Sequence, residues 1–240
     1  MPLVHSAHTR SRTRRSDRQT GPVTEGYAAV VLAGGESRRL GGRDKPGLPV
    51  GGRPMLRRVL DAVADAAPRV VVGPARSGLP ADVVQAREHP PGGGPVAALA
   101  AGLATLVAGS GQVAGSGEAA GSGKAAGSGE VAGFVAVLAA DLPFLTAAEI
   151  GALRRAAATG GLDGAVLVDA EGRQQWLCGV WRTAALRDRV AELDPPAGRS
   201  MRALMSGLRV RGVDHPATAF PPPWYDCDTE DDYRRAEEWT

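Results

Sequence analysis

An apolar run that opens into a glycine-rich, cationic segment constrains the fold of this chain more than any other feature. Residues 27–31 form a short apolar stretch that is typical of a strand buried on both faces. Residues 32–45, which follow it, read LAGGESRRLGGRDK. Small residues let backbone N–H groups approach an anion, and Arg38 and Lys45 can offset its charge. The segment therefore predicts a phosphate-binding loop, although it matches neither the Walker A motif nor GxGxxG.

Further apolar runs alternate with helical patterns along the chain. Residues 69–73 and 134–140 are predicted strands, and the apolar positions of residues 54–66 fall on one helical face. Because strands that alternate with helices are typical of parallel sheets, we predict a three-layer α/β fold. The sheet is expected to be mainly parallel with helices on both faces. Trp176 and Trp181 lie in a later predicted strand and differ in parity, which predicts side chains on opposite faces.

The chain of 240 residues is long enough for one large α/β domain. We predict a single domain over residues 26–240, preceded by a disordered basic tail over residues 1–25. An Ala-Gly-Ser-Gly unit recurs with a period of six within residues 108–129. A β-helix would need an aliphatic residue stacked inward at every turn and many turns to bury it. We therefore predict a flexible Gly/Ser-rich insertion at about residues 108–133, after a helix that ends near Val107.

Charge and cysteine content narrow the class of function. The formal net charge is +2, and residues 1–25 hold five Arg against Asp17 and Glu25, so the remainder is near −1. This balance excludes a basic protein that coats nucleic acid. No stretch approaches the ~18 apolar residues of a membrane span, so we expect neither a nucleic acid nor a membrane as partner. Cys178 and Cys227 form no disulfide framework and no metal-ligand spacing, which favours a cytoplasmic protein.

Acidic residues stand near the ends of two further predicted strands. Asp141 follows seven apolar residues, so its carboxylate is expected to be exposed at the carboxyl edge of the sheet, where α/β proteins bind ligands. Mg²⁺ takes one or two carboxylates together with substrate phosphates and water, and Asp141 is a candidate ligand of this kind. Asp226 and Asp228 precede a terminal helix capped at Thr229. They either serve the site or only complement the dipole of that helix.

The glycine-rich segment resembles the signature LAGG-x-S-x-R-x-G-x-x-K of nucleotidyltransferases. Its Gly-Gly and Asp-Lys pairs are most similar to the molybdenum cofactor guanylyltransferases of the MobA-like NTP transferase family. The resemblance covers roughly residues 27–239 apart from the insertion, and it implies a Rossmann-like nucleotidyltransferase fold. It implies Arg38, Lys45 and Asp141 as catalytic residues. The nucleotide-binding residues that it implies are Leu32, Ala33, Gly34, Gly35, Lys45, Gly73, Gly93, Gly94 and Asp141.

Other segments are similar to family segments in less specific ways. Residues 92–95, Gly-Gly-Gly-Pro, resemble the loop that faces the base, and Gly73 stands where relatives often hold a base-contacting Asn. Arg199 and Ser200 resemble a segment near the pterin acceptor. The resemblance implies Asp141 and Asp228 as metal ligands and Arg199, Ser200 and Asp226 as acceptor contacts.

The implied reaction transfers GMP from Mg²⁺-bound GTP to the terminal phosphate of molybdenum-molybdopterin and releases pyrophosphate. Mg²⁺ is the implied cofactor, and a molybdoenzyme or a chaperone would receive the product. One alternative is a related nucleotidyltransferase that uses CTP or a different phosphate acceptor. Cytidylyl relatives tend to carry Ala-Ala-Gly where this chain has Leu-Ala-Gly-Gly, which favours GTP. A second alternative is a protein that binds nucleotide or cofactor without turnover.

Overall fold

The structure is a computed structural model that describes residues 26–35, 43–111, 132–216 and 220–240. The strands in these residues are β1 Tyr27–Leu32, β2 Pro49–Val50, β3 Arg53–Pro54, β4 Arg69–Val72, β5 Val83–Ala86, β6 Phe134–Ala139, β7 Gly164–Val168, β8 Gln174–Arg182 and β9 Val210–Asp214. The α-helices are α1 Met55–Ala62, α2 Pro95–Gly111, α3 Ala147–Ala157, α4 Thr183–Glu192, α5 Met201–Met205 and α6 Glu230–Glu238. Within the described part of the chain, no helix combines the length and the apolar character needed to cross a membrane.

Seven strands form one sheet in the order β5-β4-β1-β6-β8-β7-β9. Strands β5, β4, β1 and β6 are parallel to one another, and β9 is parallel to β7. Strand β8 runs antiparallel to both of its neighbours. The mainly parallel sheet confirms the predicted fold class. Strands β2 and β3 form a separate antiparallel hairpin, which the sequence did not predict.

Helices cover both faces of this sheet, as predicted. Alternate residues of β1 point to opposite sides. Ala29 and Val31 belong to a buried cluster with α1 and α3. Val30 and Leu32 belong to a second cluster with α2, α4 and α5. Every residue of β1 is buried, which explains why its sequence is apolar throughout rather than alternating.

Helix α2 packs close to the sheet because it is built from small residues. A Cβ atom at Gly102 would lie 2.5 Å from Cγ1 of Val30, so a side chain there would push the helix away from β1. The helix is also longer than predicted. Residues 108–111 of the predicted insertion are helical, whereas residues 112–131 and the predicted tail lie outside the described residues.

The prediction that Trp176 and Trp181 lie on opposite faces is wrong. Both side chains pack with the cluster that contains α2, α4 and α5. The register between β7 and β8 shifts at this point: Val166 pairs with Gly179, but the next residue, Leu167, pairs with Gln175. Because the extra residues of β8 form an irregularity in the strand, the simple alternation of side chains breaks between the two tryptophans.

A small third cluster holds the C-terminal helix against the β2–β3 hairpin. Val50, Met55, Cys227 and Ala236 are buried together. Ala236 is the only residue of α6 that is buried, and the half-buried ring of Tyr233 packs against the same cluster. Trp239 at the end of the helix contacts the rings of Phe144, Phe220 and Tyr225. Thr229 caps the first turn of α6, as predicted.

Candidate active site

The carboxyl ends of β1 and β6 bring two predicted site segments side by side. Leu32 ends β1, Ala139 ends β6, and the two residues pair in register. The ladder continues one step further, because the amide N of Ala140 donates to the carbonyl O of Leu32 at 3.0 Å. Residues 33–35 and Asp141 therefore leave the sheet at neighbouring points of its carboxyl edge. Open α/β sheets bind their ligands at this edge.

Lys45 lies between two acidic side chains at this edge. Its Nζ forms an ion pair with Asp141 and a second one with Asp228, at 2.5 Å. The side chains of Lys45 and Asp141 are only 14% and 18% exposed. The expectation of an exposed Asp141 carboxylate is therefore wrong, since Lys45 covers it. Burial alone would lower the pKa of Lys45, but the two carboxylates raise it above its ordinary value, so the ammonium stays charged.

The segment before α6 is not a strand, so the predicted strand near Asp226 and Asp228 is wrong, and the segment presents two exposed carboxylates. Cys227 is buried in the third cluster, whereas Asp226 and Asp228 on either side of it are exposed. Desolvation and the like charges of Asp228 and Asp141 raise the pKa of Asp226 above its ordinary value. Three carboxylates and one ammonium thus share this part of the site, which leaves a surplus of negative charge when all are ionised.

The backbone of Gly73 packs against the start of the glycine-rich segment, at Ala33 and Gly34. Its φ is +154°, and a Cβ atom there would lie 2.7 Å from the carbonyl atoms of Ala33 and 2.9 Å from the amide N of Gly34. Any other residue would therefore push residues 33 and 34 out of place. The structure places Gly73 against the predicted nucleotide loop, where only its backbone is available to a ligand.

Glu88 is a member of the site that sequence reasoning missed. Its Oε1 accepts a hydrogen bond from the amide N of Gly92 at 3.1 Å. The same atom lies 3.7 Å from where a Cβ of Gly34 would be. Its Oε2 is buried and has no hydrogen-bond partner among the described residues. The available signal was an acidic residue two positions after the end of a parallel strand and before a glycine-rich loop.

Comparison with known proteins identifies the family of this chain. The model of a family described as the MobA-like NTP transferase domain matches residues 29–213. This chain belongs to that family. The match confirms the resemblance stated from the glycine-rich segment, and it confirms that the protein is a nucleotidyltransferase.

Curated relatives of this MobA-like chain are named as molybdenum cofactor guanylyltransferases. A probable molybdenum cofactor guanylyltransferase of Mycobacterium tuberculosis is 36% identical over 192 residues, which cover 78% of this chain and 83% of the relative. A molybdenum cofactor guanylyltransferase of Rhodobacter capsulatus is 30% identical over 215 residues, which cover 88% and 95%.

Solved structures show the fold of this MobA-like chain. The molybdopterin-guanine dinucleotide biosynthesis protein A of Archaeoglobus fulgidus aligns with a TM-score of 0.62 at 18% identity, over 88% of this chain and 97% of that one. The 2-C-methyl-D-erythritol 4-phosphate cytidylyltransferase of Thermus thermophilus aligns with a TM-score of 0.54 at 21% identity, over 87% and 96%. These similarities support the Rossmann-like nucleotidyltransferase fold.

Of the three residues predicted to contact the molybdopterin acceptor, Arg199 and Ser200 lie near Gly93, whereas Asp226 lies near Asp228 and Asp141. The amide N of Gly198 donates to the carbonyl O of Gly93 at 2.8 Å, which places Arg199 next to the glycine loop. The Nε of Arg199 donates to the carbonyl O of Pro195 at 3.4 Å. The hydroxyl of Ser200 caps α5 by accepting from the amide N of its residue 203 at 3.2 Å. Their acceptor role stays a prediction.

Gly35 and Gly94 are predicted nucleotide contacts that the structure describes, whereas the predicted catalytic residue Arg38 is not described. Gly35 and Gly94 have φ values of +125° and +89°, in the region that favours glycine, and a Cβ at either would meet no atom of the described residues within 4 Å. Gly35 is exposed and Gly94 is half-buried. Arg38, predicted as catalytic, lies outside the described residues.

The donor set fits Mg²⁺ only as part of a site completed by substrate. Among the described residues, no group of three or more His, Cys, Asp or Glu side chains is arranged to hold a metal ion. Asp141 and Asp228 nevertheless converge on one cationic atom, the Nζ of Lys45. Two carboxylates with phosphate and water oxygens are a usual Mg²⁺ environment. The pair therefore fits the ion once the ammonium of Lys45 turns away.

We expect Asp226→Asn to stabilise the nucleotide-free protein in a pH-dependent way. A carboxyl whose pKa is raised by folding weakens the folded state as the pH rises through that pKa. The melting temperature of the variant should therefore match that of the wild type near pH 3.5. It should exceed the wild-type value at pH 7 by up to ~2 °C, since solvent screens an exposed group. Thermal unfolding across this pH range measures the difference, and a gain that is largest at low pH would contradict it.

Proposed function

We propose that this protein transfers the guanylyl group of GTP to the terminal phosphate of molybdenum-molybdopterin. The observation that carries the proposal is the half-buried Lys45 ammonium held between Asp141 and Asp228 at the carboxyl edge, beside the glycine-rich segment. The names of the relatives from Mycobacterium tuberculosis and Rhodobacter capsulatus support the choice of substrates.

The proposed reaction needs placement and charge compensation more than acid–base chemistry. An oxygen of the acceptor phosphate forms a bond to the α-phosphorus of GTP. The bond between that phosphorus and the oxygen that bridges the α- and β-phosphates breaks. Pyrophosphate leaves with the electron pair. Because the attacking phosphate is already an anion, no side chain has to remove a proton, and no covalent protein intermediate is required.

Different residues of this chain are proposed to compensate charge, orient the phosphates, hold the metal ion and contact the acceptor. Lys45 turns from the carboxylates towards the triphosphate and offsets the charge that develops on the α-phosphate and on the leaving pyrophosphate. Backbone N–H groups of residues 33–35 orient the phosphates. Asp141 and Asp228 would hold Mg²⁺, which when bound supplies Lewis-acid polarisation of the phosphate oxygens. Arg199 and Asp226 are the proposed contacts of the acceptor.

Glu88 supports guanine as the base. The Watson–Crick edge of guanine carries two adjacent donors, N1–H and the N2 amino group, whereas a carboxylate has only acceptors. The unpartnered Oε2 of Glu88, near Gly34 and Gly92, suits such a pair. Cytosine has acceptors at N3 and O2 beside its single amino group, and these would repel the carboxylate.

A panel of nucleotides tests the proposed function against both alternatives. The purified protein is incubated with molybdenum-molybdopterin, Mg²⁺ and each of the four NTPs in turn, and pyrophosphate release is measured. We expect release with GTP. Release only with CTP would replace the proposal by the cytidylyl alternative. Thermal stabilisation by GTP without any turnover would favour the non-catalytic alternative.

We expect Glu88→Gln to lower kcat/KM for GTP by about 10- to 100-fold, since a good bidentate contact to a base contributes roughly 1–3 kcal/mol. The amide of Gln places a donor opposite the donors of guanine. The kcat/KM values for ATP and CTP should change by less than about threefold. The matched control is Glu171→Gln, an exposed glutamate in the β7–β8 turn, which should change none of the values. An equal loss with all four NTPs would remove Glu88 from base selection.

A further inference from the structure

Arg76 connects the two ends of the glycine-rich segment. Its Nη2 donates to the carbonyl O of Ala33 at 3.1 Å, where that segment begins. Its Nη1 forms an ion pair with the carboxylate of Asp44, where the segment ends, one residue before Lys45. The side chain of Arg76 is only 11% exposed, which favours a fixed position for the guanidinium group.

The carboxylate of Asp44 is committed to this contact. Asp44 stands at the N-cap position of the 3₁₀ helix Lys45–Gly47, yet its side chain makes no capping hydrogen bond. An aspartate at an N-cap ordinarily accepts from the backbone of its own helix. Here the carboxylate pairs with Arg76 instead. A Cβ atom at Gly47 would lie 2.5 Å from its Oδ2, so Gly47 leaves room for this orientation.

Backbone hydrogen bonds of the short helix fix the position of Lys45 relative to Asp44. The amide N of Gly47 donates to the carbonyl O of Asp44 at 3.0 Å, and the amide N of Leu48 donates to the carbonyl O of Lys45 at 3.1 Å. Among the described residues, the Lys45 side chain itself pairs with Asp141 and Asp228. These two are given up when the ammonium turns to a phosphate. The Arg76–Asp44 pair is not affected by that movement.

We propose that Arg76 is a positioning residue, which fixes Lys45 through Asp44 and fixes the start of the glycine-rich segment through Ala33. The role rests on the proposed function of Lys45 in nucleotidyl transfer. Arginine suits it because the planar guanidinium reaches two acceptors at once, whereas the point charge of lysine satisfies one. The Nε of Arg76 is buried and has no hydrogen-bond partner in the described part of the chain. Stability alone does not explain a donor left in this state.

Arg76→Lys is the principal test. The variant keeps the positive charge and removes the buried Nε–H, so we expect a melting temperature within about 2 °C of the wild type. We expect kcat for pyrophosphate release to fall by about 30- to 100-fold, because a shift of about 1 Å at a catalytic group has an effect of this size. The KM for GTP should change by less than about threefold, since the loss arises in the transition state. Asp44→Asn should behave in the same way.

The double variant and a matched control separate positioning from a general effect. Arg76→Lys combined with Asp44→Asn should be no slower than either single variant, because both break the same contact. Arg57→Lys is the control: Arg57 lines the same cavity as Arg76 and Asp44, but it is exposed and pairs with Asp61 at 3.5 Å. Its kcat should equal the wild-type value.

Amide hydrogen exchange gives a readout that does not depend on turnover. In the nucleotide-free Arg76→Lys variant, amides of residues 43–48 should exchange at least ~10-fold faster than in the wild type, while those of β6 stay unchanged. Unchanged exchange in residues 43–48, or an unchanged kcat in an active enzyme, would overturn the role of Arg76. A wild-type protein that transfers no nucleotide would instead overturn the proposed function, and the exchange rates would still decide whether Arg76 holds the segment.

Discussion

Replacement of Lys45 by Met is expected to lower kcat for guanylyl transfer by about 10³-fold, which is the upper end of the effect of removing one preorganised charge or donor from a transition state. The long apolar side chain of Met fills the space of Lys without its charge. Lys45 is the single ammonium that contacts Asp141 and Asp228 in the described residues, so no neighbouring lysine replaces it. Pyrophosphate release at saturating GTP measures the effect.

The chain offers a matched control for this variant. It contains two lysines, Lys45 and Lys124, and the second lies in the Ala-Gly-Ser-Gly repeat. Lys124→Met should leave kcat unchanged. A kcat of Lys45→Met within about tenfold of the wild type would contradict a role for the ammonium in the transition state.

A second readout of Lys45→Met does not require turnover. Without the ammonium, the carboxylates of Asp141, Asp226 and Asp228 repel one another more strongly. Mg²⁺ should therefore raise the melting temperature of the nucleotide-free variant at a lower concentration than it does for the wild type. The same Mg²⁺ response in both proteins would show that the ammonium does not compete with the cation.

The second large effect is expected for Asp141→Asn, which should lower Mg²⁺-dependent turnover by about 10²- to 10³-fold. The substitution keeps the size of the side chain and removes its charge. Asp141 follows the end of β6 and is not part of the buried clusters, so the fold should persist. Pyrophosphate release at several Mg²⁺ concentrations measures the loss. Asp228→Asn should have a smaller effect, since Asp228 is 53% exposed against 18% for Asp141.

The control for Asp141→Asn is Asp188→Asn, because Asp188 is an exposed aspartate on α4. It should retain wild-type turnover at every Mg²⁺ concentration. Unchanged turnover of Asp141→Asn would remove Asp141 from the mechanism, and loss of its folded structure would show instead that its ion pair with Lys45 is needed for stability.

Much of the fold follows from local patterns in the sequence. Residues 27–31 and 134–140 are apolar throughout because helices cover both faces of their strands, and such runs are readable without a structure. The antiparallel direction of β8 is not readable in this way, because direction depends on which distant strands become neighbours. The same applies to the shift between Leu167 and Gln175, which invalidated the parity argument for the tryptophans.

In the site too, some residues could be predicted from local sequence motifs and others could not. Lys45 and Asp228 are 183 residues apart, yet both could be named from the sequence. Lys45 is the last residue of the glycine-rich signature, and Asp228 directly precedes the predicted helix cap Thr229. Arg76 could not, because no local motif distinguishes it, and Glu88 was marked only by its place between a strand and a glycine-rich loop. Arg76 acts through a carbonyl group 43 residues away and through a carboxylate 32 residues away. Contacts of this kind depend on the assembled sheet edge.

Helix α6 buries less of its length than the strands of the sheet do, which has a consequence for how the protein loses activity. Asp226 and Asp228 are delivered by the segment just before this helix, and Ala236 is its one buried residue. Segments with little buried apolar surface open at a lower free energy than the core. We therefore expect the last helix to detach before the sheet unfolds under mild denaturant, so that activity is lost while most of the secondary structure is intact.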